Sequence, residues 1–235
     1  MVINREHALR RARANLMEAL MEKDFTIVNG VNTIEDLVKI INMMFERLEE
    51  WIKLFEPNFK SKSIEISCKT IVEEDIFKKN KEMSEKDKTQ LLNIAKQIIN
   101  LIELKNSIEK YLNEITLEMA PNISYLIGPE LTAKLIASSG GIKKMGLMPA
   151  STIQVIGAEK ALFKHLKSGS SPPKHGLIFQ FAAVGKAPKK KRGKIARTVS
   201  SKIVIAARAD AFTKNFIAKE LKEEMDKKIK KILSS

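Results

Sequence analysis

The sequence predicts an all-α protein, a long antiparallel coiled-coil hairpin followed by a compact helical domain, and three observations carry that prediction. Apolar residues recur at alternating spacings of three and four along two long stretches, the signature of helical seams. After Pro121 the texture changes, and glycine and proline punctuate short helical patterns. Charge changes at the same place: residues 1 to 120 hold 19 Lys and Arg against 21 Asp and Glu, whereas residues 121 to 235 hold 23 against 7. A neutral structural half joined to a strongly basic half is the electrostatic footprint of a polyanion-binding domain.

Residues 1–32 read as an N-terminal helical segment. Arg5, Arg10, Arg11 and Arg13 occur there without a continuous apolar stretch or a cleavage site, so the segment is not a secretory signal. The first seam runs through Ile34, Leu37, Ile41, Met44, Leu48, Trp51 and Phe55. Thr33 with Asp36 three positions on is the expected cap, and Glu56-Pro57 the expected stop. A second seam passes through Leu91, Ile94, Ile98, Leu101, Lys105, Ile108, Leu112, Ile115 and Met119, with Ser84 and Asp87 as its cap. From Leu91 to Met119 a helix extends about 42 Å at 1.5 Å per residue, longer than a compact domain needs. The polar stretch holding Asn58-Phe59-Lys60-Ser61 joins the two into a hairpin over residues 33–120. Its apolar face either packs internally alone or also pairs with a second copy.

The basic domain spans residues 121–217. Ala133 to Ala137 and Thr152 to Leu166 have helical patterns, while Leu177 to Val184 is an apolar run that periodicity assigns to neither strand nor buried helix. From Lys214 to Leu233, Lys and Glu alternate, so residues 218–235 form a charged tail, a solvated helix or a frayed end.

Hydrophobic residues make up 44% and charged residues 30%, as in a folded chain with well-solvated faces, and no apolar run is long enough to span a membrane. The expected location is inside the cell, cytoplasmic in an archaeon or nuclear in a eukaryote, with the Lys and Ile content favouring the first. Cys68 is the only cysteine, and His7, His165 and His175 are the only histidines, so neither a disulfide, a zinc cluster nor another metal site is expected. Gly140-Gly141 and Gly157 precede no Walker-type lysine, no Gly-x-Ser-x-Gly surrounds Ser138-Ser139, and acidic residues are too sparse in the basic half for a catalytic pair. The expectation is a protein without catalytic residues or cofactor.

Binding residues are easier to place. Eight basic residues and no acidic one lie between Lys186 and Lys202, and Lys189, Lys190, Lys191 and Arg192 sit between Pro188 and Gly193 on a loop able to follow a phosphate backbone, the alternatives being a nuclear-import signal or a solvated loop. Lys160, Lys164 and Lys167 share one face of a helix. His165 and His175 are planar groups suited to bases or phosphates, or else to a purely structural role, which is the commoner use of a lone histidine. Phe163, Phe179 and Phe181 are expected in the core because their neighbourhoods are apolar. The same basic face could instead meet an acidic protein, making the chain a coiled-coil adaptor.

Linked strings bring these residues into one pattern. They are Ile127-Gly128-Pro129, Leu135-Ile136-Ala137 before Gly140-Gly141, Met148 to Gln154, Gly157-Ala158-Glu159-Lys160 continuing to Leu166, Pro173-Lys174-His175-Gly176-Leu177, and Gly193 to Arg197 leading to Ala206-Ala207-Arg208-Ala209-Asp210. With Phe45 to Trp51 and Ile115 to Asn122, they resemble the Nop domain family, the core proteins of box C/D small ribonucleoproteins and their spliceosomal relatives. The resemblance covers roughly Thr33 to Asp210. It implies a dimerising coiled coil and a C-terminal Nop domain. That domain recognises a kink-turn RNA together with a small ribosomal-protein-like partner already bound to it, and the particle guides 2′-O-methylation. By the same resemblance Gly157, Ala158, Glu159, Lys160, Lys164, His165, Lys174, His175, Lys189, Lys190, Lys191, Arg192 and Arg197 lie at the RNA–protein junction. Full-length members recruit fibrillarin, which carries the methyl-transfer chemistry, through a further N-terminal domain. Only 32 residues precede Thr33, so fibrillarin is the family partner whose recruitment the sequence leaves open.

Overall fold

The computed structural model describes residues 6, 9–11, 13, 23–74, 77 and 83–234, and among them every regular element is helical. They fall into two compact units, Asn32–Tyr111 and a larger one made of Met1–Val31 with Leu112–Ser235. Two long helices, α1 (Lys23–Phe55) and α3 (Glu85–Met119), contribute to both. Of the N-terminal segment, Glu6, Leu9, Arg10, Arg11 and Arg13 are helical, while Arg5 and His7 lie outside the described residues.

Helix α1 begins ten residues before the cap expected at Thr33. Thr33 is interior to it, and Asp36 holds Lys39 across one turn at 2.8 Å instead. Tertiary burial overrides local propensity here. Ile27 and Val31 are buried, and Gly30 lies so close to α3 that a Cβ would come within 2.6 Å of a Leu112 methyl. The α3 cap is as expected, with the Asp87 N–H donating to the Ser84 hydroxyl at 3.1 Å.

In the smaller unit α1 and α3 form the expected hairpin, but a third helix completes it. The stretch read as a polar linker contains α2 (Ile64–Glu73), which starts at Ser63 and buries Cys68 and Ile71. Its core joins Ile41, Phe45, Leu48 and Ile52 of α1, those two residues, and Leu91, Ala95 and Ile98 of α3. Adding α2 turns the seam, so Phe45 and Ile52 are central while the expected Met44, Trp51 and Phe55 are only partly buried. Burial pushes the Cys68 thiol to about 11, leaving it a small apolar side chain.

In the larger unit, α4 (Pro121–Ile127), α5 (Pro129–Ser139), α6 (Ile142–Leu147) and α7 (Ala150–Val155) follow in short steps, then α8 (Glu159–Ser168), a 3₁₀ turn (Leu177–Gln180), α9 (Ala182–Gly185), α10 (Arg192–Arg208) and α11 (Ala218–Ser234). Helix α10 is the centre: it packs on α6, α7 and α11 and buries Ile195, Ala196, Val199, Ile203, Ala206 and Ala207. At its end a π-type turn (Ala209–Thr213) places Asp210, which is 1% exposed, beneath the start of α4. The carboxylate accepts from the Asn122 N–H (3.1 Å), the Asn122 amide (2.6 Å) and the Ile123 N–H (3.0 Å). The Asn122 side chain also donates to the Asn215 carbonyl and accepts from the Ile217 N–H. One buried pair therefore satisfies the orphan donors of α4 and fixes the segment that leads to α11.

Three expectations change in this unit. The single helix expected over Thr152 to Leu166 is two, α7 and α8, parted at Gly157. Leu177 to Val184 is neither strand nor continuous helix but the 3₁₀ turn running into α9. The charged tail is neither solvated all round nor frayed: α11 buries Ala218, Leu221, Met225 and Ile229 at helical spacing. Alternating Lys and Glu hid that stripe, and Lys202 of α10, itself buried, pairs with Glu224 beside it.

Candidate nucleic-acid interface

The site is built around the break at Gly157. Its φ of +83° is one that side chains rarely adopt, and an added Cβ would sit 2.6 Å from Leu177 Cγ. The chain returns against this point after the loop: the Gly176 N–H donates to the Gln154 carbonyl (2.9 Å) and the Leu177 N–H to the Ile156 carbonyl (2.7 Å). The Gln154 amide donates to the Lys174 carbonyl at 2.8 Å. Gly176 is obligatory, because a Cβ there would lie 1.8 Å from the Ile156 oxygen, a backbone atom. Glu159, expected at the junction, turns back, and its carboxylate accepts from the Gly157 N–H at 2.7 Å. That bond holds the break from the α8 side.

Helix α8 consequently leaves the packed body, and none of its residues is buried. Phe163 is 63% and Leu166 70% exposed, which corrects the expectation that Phe163 belongs to the core. Phe163 and Leu166 lie along one side of the helix, and Lys160, Lys164 and Lys167 along the neighbouring side. The lysine ammonium groups make no ion pair among the described residues. A naked apolar stripe beside a naked cationic one can meet two chemistries at once. His165 is less available than expected: its Nδ1 faces the Ser170 carbonyl, and since a carbonyl only accepts, Nδ1 carries the proton and ties α8 to the loop after Gly169.

A second group lies on the return strand of chain. The His175 ring stacks on Phe179 (centroids 4.8 Å apart, 17° between planes), and the Arg192 guanidinium lies over that same phenyl ring at 5.2 Å. Burial, and then the nearby Arg192 charge, hold the His175 pKa below its ordinary value, so the imidazole is neutral in this stack. Arg192 also donates through Nε to the Ala187 carbonyl at 2.9 Å, and the Lys174 stem lies against Gly193. Phe179 is thus a half-exposed stacking residue, and Phe181 a partly exposed one beneath the Lys222 ammonium; neither is the core residue expected.

The structure therefore brings Gln154, Ile156 and Gly157 against the Lys174 to Leu177 segment, with Ala158 and Glu159 following at the start of α8, and it brings Lys174 and His175 against Arg192 and Gly193. Lys189, Lys190 and Arg197 are exposed without an ion pair among the described residues. Lys191 is engaged, its ammonium donating to the Leu233 carbonyl at 2.7 Å. Sequence reasoning missed Phe163, Leu166, Phe179 and Gln154. A signal for the first two was present: α8 is isolated between Gly157 and the Gly169-Ser170-Ser171-Pro172-Pro173 loop, which leaves little chain to cover it.

Residues 17–231 match the Nop family, described as "snoRNA binding domain, fibrillarin". An uncharacterized NOP5 family protein of Methanocaldococcus jannaschii is 36% identical over 90% of this chain and 58% of its own length. Nucleolar protein 58 of Mus musculus is 31% identical over 90% of this chain and 44% of its own. The chain thus spans about half the length of these relatives. Among solved structures, a chain from a fibrillarin/Nop5p complex superimposes with a TM-score of 0.63 at 27% identity, covering 97% of this chain and 78% of that one.

Proposed function

Because the chain belongs to the Nop family, we propose that it is a non-catalytic RNA-binding scaffold of box C/D-type ribonucleoproteins, recognising a kink-turn RNA together with the small ribosomal-protein-like protein bound to it. The observation that carries this reading is α8, whose apolar and lysine stripes are both uncovered on a helix held at a fixed break. The lysines suit phosphates of the RNA, and Phe163 and Leu166 suit an apolar patch on the protein already seated there. Lys174, His175 and Arg192 lie on the segments that meet the Gly157 joint and add cationic and stacking groups beside α8, while Lys189, Lys190 and Arg197 are exposed cations elsewhere on the same domain. Shape and backbone contacts, more than base edges, set specificity on such a target. Fibrillarin, which accompanies the solved relative, is the third partner of the proposal and would carry any methyl transfer.

Dimerisation through the hairpin is part of the same reading. Ile40, Met43 and Leu54 of α1 are exposed along one line on the outside of the helix, with the Arg47–Glu50 ion pair between Met43 and Leu54, a mixed apolar and charged face that a second copy could meet. A gel shift of a kink-turn RNA, with and without its small protein, tests the scaffold reading. Wild type is expected to shift only the preformed complex. Lys160→Ala/Lys164→Ala should weaken that shift and flatten its salt dependence by about 1.4 to 1.8 in log–log slope, at 0.7 to 0.9 per contact. Phe163→Ala/Leu166→Ala should weaken it with the slope unchanged. If wild type fails to shift the preformed complex at low salt, the scaffold reading falls and the coiled-coil adaptor with an acidic protein partner takes its place.

A further inference from the structure

The bond from Lys191 to Leu233 places two lysine clusters from distant parts of the sequence side by side. One is the turn before α10, where Lys186, Lys189 and Lys190 are exposed. The other is the end of α11, where Lys227, Lys228, Lys230 and Lys231 are exposed and no acidic residue lies between Asp226 and Ser234. A shallow groove of about 340 Å³ runs between them, lined by Ala182, Ala183, Lys186, Ala187, Pro188 and Leu233. Charge is divided along α11 itself: Glu220, Glu223, Glu224 and Asp226 belong to its first half, and Glu224 and Asp226 face Lys202 and Lys222 there. None of the seven exposed lysines makes an ion pair among the described residues.

Helix-dipole complementarity accounts for cations in the last turn of α11, but not for the matching cluster on a separate element. Like charges gathered by a specific clasp repel one another, and a polyanion laid across both clusters would relieve that repulsion. We infer that the turn Lys186 to Lys191 and the last two turns of α11 form one surface for the sugar–phosphate backbone of an RNA duplex, a grip on the RNA additional to α8. Lys191 is its clasp, and Lys227, Lys230 and Lys231 are the contacts that α11 adds. This inference rests on the scaffold reading, since it deepens which part of the RNA the chain holds.

The test is a salt series on the full chain with a kink-turn RNA and its bound small protein, using a short stem and the same stem extended by one helical turn. Lys227→Gln/Lys230→Gln/Lys231→Gln should lower the log–log slope by about 2 to 3, at roughly 0.7 to 0.9 for each lost phosphate contact. It should also abolish the gain in affinity that wild type draws from the longer stem, whereas Lys219→Gln at the other end of α11 should change neither. A triple variant with wild-type slope and stem dependence, beside a Lys160→Ala/Lys164→Ala variant that still loses slope, would overturn the inference and leave the scaffold reading standing. Absence of any wild-type shift overturns both.

Discussion

Helices α8 and α11 are written in the same style and meet opposite fates. Each is amphipathic and lysine-rich, with apolar residues three and four apart. Helix α11 buries its stripe of Ala218, Leu221, Met225 and Ile229 and packs against α10 and α4. Helix α8 leaves Phe163 and Leu166 in water. The difference lies in the attachments. The Asn122–Asp210 pair holds the Asn215 to Ile217 segment and so delivers α11 onto the body, while Gly157, pinned by Glu159 and Leu177, directs α8 away from it. An amphipathic pattern states that something will cover the apolar face; the flanking joints decide whether that cover comes from the same chain.

Removing the joint of α11 should have the largest effect. Asp210→Ala would leave the Asn122 and Ile123 N–H groups and one Asn122 amide proton without their acceptor at a buried site. At about 1 to 3 kcal/mol for each unsatisfied buried donor, the loss should reach about 3 kcal/mol or more, visible in a thermal melt as a fall of about 6 to 12 °C. Asp210→Asn keeps one acceptor and should lose less. A melt unchanged by Asp210→Ala would mean that α11 is held by its apolar stripe alone.

Cutting the two stripes gives the next contrast. Met225 is fully buried, so Met225→Ala should cost about 2 to 5 kcal/mol. Phe163→Ala removes more apolar surface, but from a mostly exposed side chain, and should alter the melt by no more than about 0.5 kcal/mol. If Phe163→Ala destabilised the free protein as Met225→Ala does, the α8 face would be a folding surface and not a recognition one.

These joints also explain how far the sequence could be read. Both long helices, the Ser84 cap and the change of texture at Pro121 were legible, because seam periodicity and proline act locally. The Gly157 to Leu166 and Lys174-His175 strings marked two segments that the fold brings together at Gly157, yet periodicity carried one helix through Gly157, since nothing local announces that Leu177 will lie 2.6 Å from its missing Cβ. Helix α2 was hidden because its apolar residues are interleaved with Lys and Glu, and α11 because its charges outnumber the buried stripe. Thr33 misled in the opposite direction, offering a cap that the burial of Ile27 and Val31 overruled. Whatever depended on residues far apart in sequence, such as Asp210 with Asn122 or Lys191 with Leu233, was beyond local pattern altogether.

The smallest expected effect lies in the stack beside the α8 joint, and it separates structure from recognition by pH. In the fold His175 has its pKa lowered by burial and then by Arg192, relative to an ordinary value of 6.5. The unfolded chain therefore binds the proton more readily than the folded one, so stability is fully present above about pH 6.5 and declines as the pH falls through the folded pKa. His175 is only partly buried, so the decline should be slight, and His175→Phe, which keeps a ring over Phe179 but cannot take a proton, should remove it from a melt followed between pH 7.5 and about 5. Binding should respond the other way. A protonated His175 beside Arg192 and Lys174 adds a cation to the face proposed for RNA, so mild acid should tighten the wild-type gel shift while leaving His175→Phe unchanged. Tightening that persists in His175→Phe would place the titrating group elsewhere and reduce the stack to a brace for Arg192.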